Sequence, residues 1–230
     1  MKKIVCMDLG NTIIHNDVIC FEAGYEKLYS TLEITSMDIA QWKENMNQLY
    51  LQMYVTREED EIEVPFQRFL KKAIEEMNVQ TRYSLDDLEF IVYQAATIDS
   101  VENDILSFLE FLKARCIPVY VISNSTFSKR CLCDTLKKLG LDDYITEVYS
   151  SADIGIRKPN ACFFHQITAL QSFSKGEILY IGNDAWVDYH FAMNIGIEFV
   201  WYNHEKKKEL GCQTIQNYQE LMEIWGEKFD

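Results

Sequence analysis

Apolar positions along the chain change period several times, and each change marks an element. Five short runs rich in β-branched and aromatic residues read as strands: Lys3–Met7 (KIVCM), Pro118–Ser123 (PVYVIS), Ile145–Ser150 (ITEVYS), Glu177–Gly182 (EILYIG) and Ile197–Tyr202 (IEFVWY). From the second run onward, helix-spaced stripes separate them. Ile105, Phe108, Leu109 and Leu112 form one stripe; Cys131, Leu132, Leu136 and Leu139 form another, closed by Gly140 as the residue just past the helix end. Phe163, Phe164, Ile167 and Leu170 repeat the pattern after Pro159, and Phe191, Ala192 and Ile195 do so before Gly196. Tyr218, Leu221, Met222 and Trp225 suit a last helix packed on the sheet. Near-continuous apolar strands alternating with helices predict an α/β fold, a doubly wound three-layer core with a mainly parallel five-stranded sheet.

Residues 16–98 break that alternation. They carry only helical stretches, Glu22–Leu32, Met37–Tyr54, Pro65–Met77 and Ser84–Ala96, the last opened by Ser84 with Asp87 three residues on, a capping-box pattern. The expected organisation is a discontinuous core, residues 1–15 and 99–230, with a helical insert of residues 16–98 after the first strand. Trp42, Tyr50 and Tyr54 read as the insert's own core, with a substrate pocket as the alternative. The run Arg57–Glu63 (REEDEIE) reads as a solvated turn or helix end.

Composition narrows the function. A 230-residue chain that is 48% hydrophobic and 25% charged can bury a substantial core, which excludes disorder as its main state. With 22 basic and 36 acidic residues, the net charge is −14. That field argues against nucleic acid or an anionic membrane as partner, while a local cluster of cations or a metal ion still permits a small anionic substrate. Seven scattered cysteines, an odd number, suggest a reducing cytoplasm rather than a disulfide framework, with most of them buried as small apolar residues. The apolar run before Asp8 is too short for a signal peptide, and no run of about 18 apolar residues follows.

In a doubly wound sheet, ligands bind beyond the carboxyl ends of the strands. The polar residues placed there are Asp8 after the first strand, Ser123 and Asn124 at the second, Lys158 after the third, and Asn183, Asp184 and Asp188 after the fourth. A carboxylate can attack phosphorus, a lysine can hold phosphoryl oxygens and keep neighbouring carboxylates ionised, and Mg²⁺ takes hard oxygen ligands. Each residue also has a plain structural role open to it: Asp8 as a turn former, Ser123-Asn124 and Asp184 as helix caps, Lys158 as a solvated lysine, and Asp188 as a first-turn acid.

The ordered stretches IVCMDLGNT (4–12), VYVISNS (119–125), SADIGIRKPNACFF (151–164) and YIGNDAWVDYHFAMNIGI (180–197) resemble the haloacid dehalogenase superfamily of aspartyl-nucleophile hydrolases. The resemblance implies a helical cap in the insert, Asp8 as nucleophile, and Ser123 with Asn124 as the phosphate-binding motif. It also implies Lys158 as the motif lysine, and Mg²⁺ held by Asp8, the Gly10 carbonyl, Asn183 or Asp184, and Asp188. The expected reaction is hydrolysis of a small phosphorylated metabolite through an aspartyl-phosphate.

One position departs from the pattern. Phosphatases of the superfamily usually read DxD in the first motif, the second Asp acting as acid and base; this chain has Gly10 there. Gly10-Asn11 suits a turn with positive φ. The proton can then come from elsewhere, His15 and Asp17 being the nearest titratable candidates, with a surface histidine as the plain alternative. Two other readings stay open: a metal-independent haloacid dehalogenase, and a weakly active or inactive phosphate-ligand binding protein. His165 and His190 fall within helical stretches, and His204 lies in the polar turn Asn203–Lys208, expected to be exposed.

Overall fold

Every residue of β1 (Ile4–Met7) is buried, Val5 and Met7 in one apolar cluster and Ile4 and Cys6 in another. Successive side chains of a strand point to opposite faces, so a wholly apolar strand belongs in the middle of three layers. The computed structural model, which describes residues 1–33, 36–55, 57, 59–206 and 211–228, places it there. The sheet runs β5 (Glu147–Ser150), β4 (Val119–Ser123), β1, β6 (Ile178–Gly182), β7 (Glu198–Tyr202) and β8 (Gln213–Ile215), with every neighbouring pair parallel. It holds six strands rather than the expected five. The sixth, QTI, is short and half polar, and it has no apolar run by which to stand out.

Helices cover both faces. α5 (Ile105–Ala114), α6 (Lys129–Lys138) and α10 (Tyr218–Lys228) send Phe108, Leu132, Tyr218 and Trp225 into the cluster on one side. α8 (Ala161–Gln166) and α9 (Val187–Ile195) send Phe163, Phe191 and Ile195 into the other. A short α7 (Ser151–Ile154) follows β5. Gly140 and Gly196, each at φ 71°, stand just beyond α6 and α9, as the sequence pattern indicated.

α1 (Phe21–Tyr29), α2 (Ile39–Tyr54), α3 (Phe66–Glu76) and α4 (Leu85–Ala96) surround a third cluster built on Tyr25, Trp42, Phe66, Phe69 and Val92. Trp42 is fully enclosed there, its indole N–H donating to the Tyr25 carbonyl at 3.0 Å. The Ser84 hydroxyl accepts from the Asp87 amide but donates to the Asp87 carboxylate, so only half of the anticipated box forms. A complete capping box stands instead at α2, between Asp38 and Gln41.

The insert is not purely helical. The chain enters it on β2 (Ile14–Ile19) and leaves on β3 (Thr97–Val101), which pair antiparallel with a bulge near Asn16, and the expected boundaries at 15/16 and 98/99 fall inside this ribbon. Its strands have no apolar face to betray them, since Ile19 and Ile98 are exposed. The acidic run Arg57–Glu63 also differs from expectation. Ile62 forms an isolated bridge with Ile156, and the Glu63 amide donates to the Gly155 carbonyl at 3.1 Å, which leaves Glu63 buried. Of the seven cysteines only Cys6 and Cys131 are buried; all seven are free thiols, and Cys20, Cys116 and Cys162 are exposed. Among the described residues, no helix is long and apolar enough to cross a membrane.

Candidate active site

β4 and β6 flank β1 on opposite sides, so the chain's crossovers diverge at the carboxyl end of β1 and a crevice opens there. Asp8 stands at that end, its amide still in the ladder through the Ile181 carbonyl at 2.9 Å. The crevice continues into a cavity of about 620 Å³. Asp8, Gly10, Ser123, Asn124, Lys158 and Asn183 line its floor, and Phe21, Tyr50, Arg57 and Tyr93 line the insert side. Of the aromatic stripe on the insert, Tyr50 reaches the cavity while Trp42 and Tyr54 belong to the insert's core.

Lys158 holds the floor together. Its Nζ donates to Asp8 Oδ1 at 2.6 Å, Asp188 Oδ1 at 2.8 Å and the Tyr180 hydroxyl at 2.8 Å. Asn124 positions that lysine by its backbone, accepting from the Lys158 amide at 2.8 Å and donating to the Lys158 carbonyl at 2.9 Å. Asn124 therefore grips the lysine's own main chain, and Ser123, buried at the end of β4, is part of the lining.

Burial raises the Asp8 carboxyl to about 6; Lys158 opposes the shift and the charge of Asp188 adds to it. Burial alone would lower the Lys158 ammonium, but the charges of Asp188 and Asp8 outweigh it and hold the group above its ordinary range. The charged lysine thus opposes the burial that favours a protonated Asp8, and its hydrogen bond fixes Asp8 Oδ1 at the cavity floor.

Asp188 is a buried anchor. Its Oδ1 accepts from Lys158 and from Tyr180 (2.9 Å), and its Oδ2 accepts from the Asp184 amide at 3.0 Å. Asp184 Oδ1 accepts from the amides of Trp186 and Val187, both at 2.7 Å, at the start of α9. Asn183 Oδ1 accepts from the Thr12 hydroxyl at 3.3 Å. The polar donors around the crevice (Asp8, Gly10, Asn183, Asp184) are hard oxygens, the kind Mg²⁺ takes from one or two carboxylates, with substrate and water oxygens completing the shell. Among the described residues, no three His, Cys, Asp or Glu side chains stand together as a preformed metal cage.

Position 10 follows a different logic from the expected turn. Asn11 takes the left-handed conformation at φ 53°, and Gly10 does not. The space beside Gly10 is taken by a side chain instead: a Cβ there would stand 2.7 Å from Asn16 Oδ1, so that amide would have to move. His15 and Asp17 are exposed on the ribbon, 3.8 Å apart, and neither lines the cavity; Asn16 between them does, together with Asp99 across the ribbon. Strand alternation explains the split, since residues two apart share a face and the one between faces the other way. His165 is exposed and His190 half-buried, bonding its own helix at Trp186. His204 is half-buried against Tyr202 rather than exposed, and residues 207–208 of its turn lie outside the described residues.

Several residues in or around this site have no sequence signal. Tyr180 sits in an apolar strand and reads as core. Asn16 and Asp99 are 83 residues apart and meet only through ribbon pairing. Arg157 pairs with Glu63, 94 residues away, and Glu63 also accepts from the Ser151 hydroxyl at 2.7 Å.

Residues 5–202 match the family of haloacid dehalogenase-like hydrolases. Over 93 residues the chain is 31% identical to the pyrimidine 5′-nucleotidase PynA of Streptococcus pneumoniae, covering 38% of this chain and 39% of that protein. The chain thus spans about two fifths of the length of this curated relative. Two solved structures share the fold over nearly the whole chain. A HAD phosphatase from Thermococcus onnurineus aligns at a TM-score of 0.65 with 18% identity, covering 98% of each chain. A 2-haloacid dehalogenase from Pseudomonas syringae pv. Tomato DC3000 aligns at 0.66 with 20% identity, covering 99% of each. With the family match running from β1 through β7 and so taking in Asp8, Ser123, Lys158 and Asp188, the chain belongs to the haloacid dehalogenase-like hydrolases.

Proposed function

We propose that this hydrolase cleaves a small phosphate monoester through an aspartyl-phosphate at Asp8. The observation that carries the reading is the Lys158 bridge, 2.6 Å to Asp8 Oδ1 and 2.8 Å to Asp188 Oδ1, at the floor of an open cavity. A carboxylate buried beside a fixed ammonium is a nucleophile held in one orientation, and the same ammonium attracts a dianionic phosphoryl group. Ser123 offers a hydrogen bond to a phosphoryl oxygen, and Asn124 keeps Lys158 in register.

Asp8, the Gly10 carbonyl, Asn183 and Asp184 would hold Mg²⁺, which when bound supplies positive charge to the phosphoryl oxygens. Asp188, with both oxygens engaged by Lys158, Tyr180 and the Asp184 amide, supports the site as an anchor. Residues 16–98 act as a cap that closes over the cavity and excludes water, with the β2–β3 ribbon as its tether. The pyrimidine nucleotidase relative is consistent with a phosphorylated small molecule as substrate, and the aromatic rings of Phe21, Tyr50 and Tyr93 give the leaving group an apolar wall.

The test is hydrolysis of para-nitrophenyl phosphate with Mg²⁺, with EDTA, and by Asp8→Asn. Turnover that needs both the metal and Asp8 is the expected result. Asp8-dependent release of halide from a haloacid in EDTA would favour the dehalogenase reading. No Asp8-dependent turnover of either substrate would overturn a hydrolytic role for Asp8.

A further inference from the structure

The nucleophile leaves one chemical task unassigned. An alkoxide leaving group needs a proton, and the water that later attacks the phosphorylated aspartate must lose one. Position 10, two residues after the nucleophile, is a glycine with no proton to offer. The cavity lining contains no histidine or cysteine among the described residues, and its carboxylates are Asp8, Asp99, Asp184 and Asp188. Asp188 has both oxygens occupied by Lys158, Tyr180 and the Asp184 amide, and Asp184 is turned to the start of α9. Asp99 remains.

Its placement is specific. Asn16 and Asp99 face each other in the antiparallel register of β2 and β3, and Asn16 Nδ2 donates to Asp99 Oδ1 at 2.7 Å. The other end of the same amide, Asn16 Oδ1, stands 2.7 Å from where a Cβ on Gly10 would be. Asn16 therefore fills the space beside the Asp8 loop that a side chain at position 10 would enter, and holds Asp99 one hydrogen bond beyond it, in the cavity lining. An amide that donates to Oδ1 fixes the orientation of the Asp99 carboxyl group. Its Oδ2 accepts one long hydrogen bond, from Thr135 Oγ1 at 3.4 Å, and Thr135 Oγ1 also shares a hydrogen bond of 2.6 Å with the Tyr93 hydroxyl.

We propose that Asp99, oriented by Asn16, is the general acid and base of this site. The assignment rests on the reading of Asp8 as nucleophile. In the first step an Asp8 oxygen bonds phosphorus as the bond from phosphorus to the leaving oxygen breaks, and the proton on Asp99 passes to that oxygen. In the second, a water oxygen bonds phosphorus, its proton passes to the Asp99 carboxylate, and the bond from phosphorus to Asp8 breaks. The sum is ester plus water giving alcohol plus phosphate, with Asp99 returned to its protonated state.

The two steps respond differently to loss of Asp99, and the full chain with Mg²⁺ can read both. Para-nitrophenolate leaves without a proton, so Asp99→Asn should release a burst of about one nitrophenolate per protein and then turn over about 100-fold slower than wild type. Intact mass should show a phosphoryl adduct on Asp99→Asn that is absent when Asp8→Asn is added. With a simple alkyl phosphate, where both steps need the carboxyl, turnover should fall about 10²–10⁴-fold. Asp99→Glu, which keeps a carboxyl, should recover at least about a tenfold part of that loss. Wild-type rates in Asp99→Asn on both substrates would overturn the proposal. So would an equal loss on both with neither burst nor adduct, the mark of a merely structural role. Wild-type protein without Asp8-dependent turnover would instead remove the nucleophile reading, and this assignment with it.

Discussion

Asp188 packs its carboxylate directly against the backbone of Gly182, in the space that a Cβ at that position would occupy. The glycine at the end of β6 is therefore a condition for the Lys158–Asp188 contact, not a turn requirement, since its φ lies outside the left-handed region. Gly182→Ala should displace Asp188 and loosen Lys158. Misplacement of a catalytic group by about 1 Å costs about 100-fold. The expected outcome is a loss of that order in kcat toward para-nitrophenyl phosphate with the circular dichroism spectrum retained. Unchanged kcat would show that the anchor tolerates the shift.

Asn124 should matter through the main chain it holds. Asn124→Ala leaves the Lys158 amide and carbonyl without their partners at 2.8 and 2.9 Å. Leaving such groups unpaired costs about 1–3 kcal/mol, to be read from urea unfolding. Turnover should fall as well, because the lysine loses its register on Asp8.

Glu63 carries buried charge between two elements far apart in sequence. It pairs with Arg157 and accepts from Ser151, with its side chain wholly buried. Glu63→Ala strands the Arg157 guanidinium, and breaking a buried pair from one side costs about 3–5 kcal/mol. Arg157→Met added to Glu63→Ala should recover part of that loss, because the unpaired charge is gone. Urea midpoints of the two variants would decide, and an additive double variant would count against the pair.

The raised Asp8 carboxyl has a signed consequence for stability without added metal. Its folded-state value, about 6, lies above the ordinary 3.8, so the native state holds the proton more tightly than the unfolded chain. Its stabilising contribution is fully present below about pH 4 and is lost as pH rises through about 6. Asp8→Asn removes that dependence. The melting temperature of Asp8→Asn relative to wild type, measured in EDTA, should rise from pH 4.5 to pH 7. A flat or falling difference would contradict the burial argument.

The sheet and its flanking helices were legible because their signals are local. The four helices in residues 16–98 and the five apolar strands of the sheet appear within a few residues of their expected positions, since apolar period and cap residues act over single turns. The gathering of Asp8, Lys158 and Asp188 was legible because strand ends in a parallel sheet converge, so order along the chain is enough to bring them together. β8 and the β2–β3 ribbon were not, because strands with polar or exposed residues are held by pairing rather than by an apolar face.

Chemistry at position 10 divides the same way. The sequence alone determines that no carboxyl stands there, and that Asp8, Lys158 and Asp188 lie at one end of the sheet. Only the tertiary structure decides that His15 and Asp17 face solvent while Asn16 and Asp99 face the cavity. The bulged register of two strands 83 residues apart sets that choice, and the bridge of Ile62 to Ile156 likewise turns Glu63 from an acidic surface run into a buried partner of Arg157. Contacts of that separation depend on how the chain closes its loops, which no local pattern of apolar and polar residues encodes.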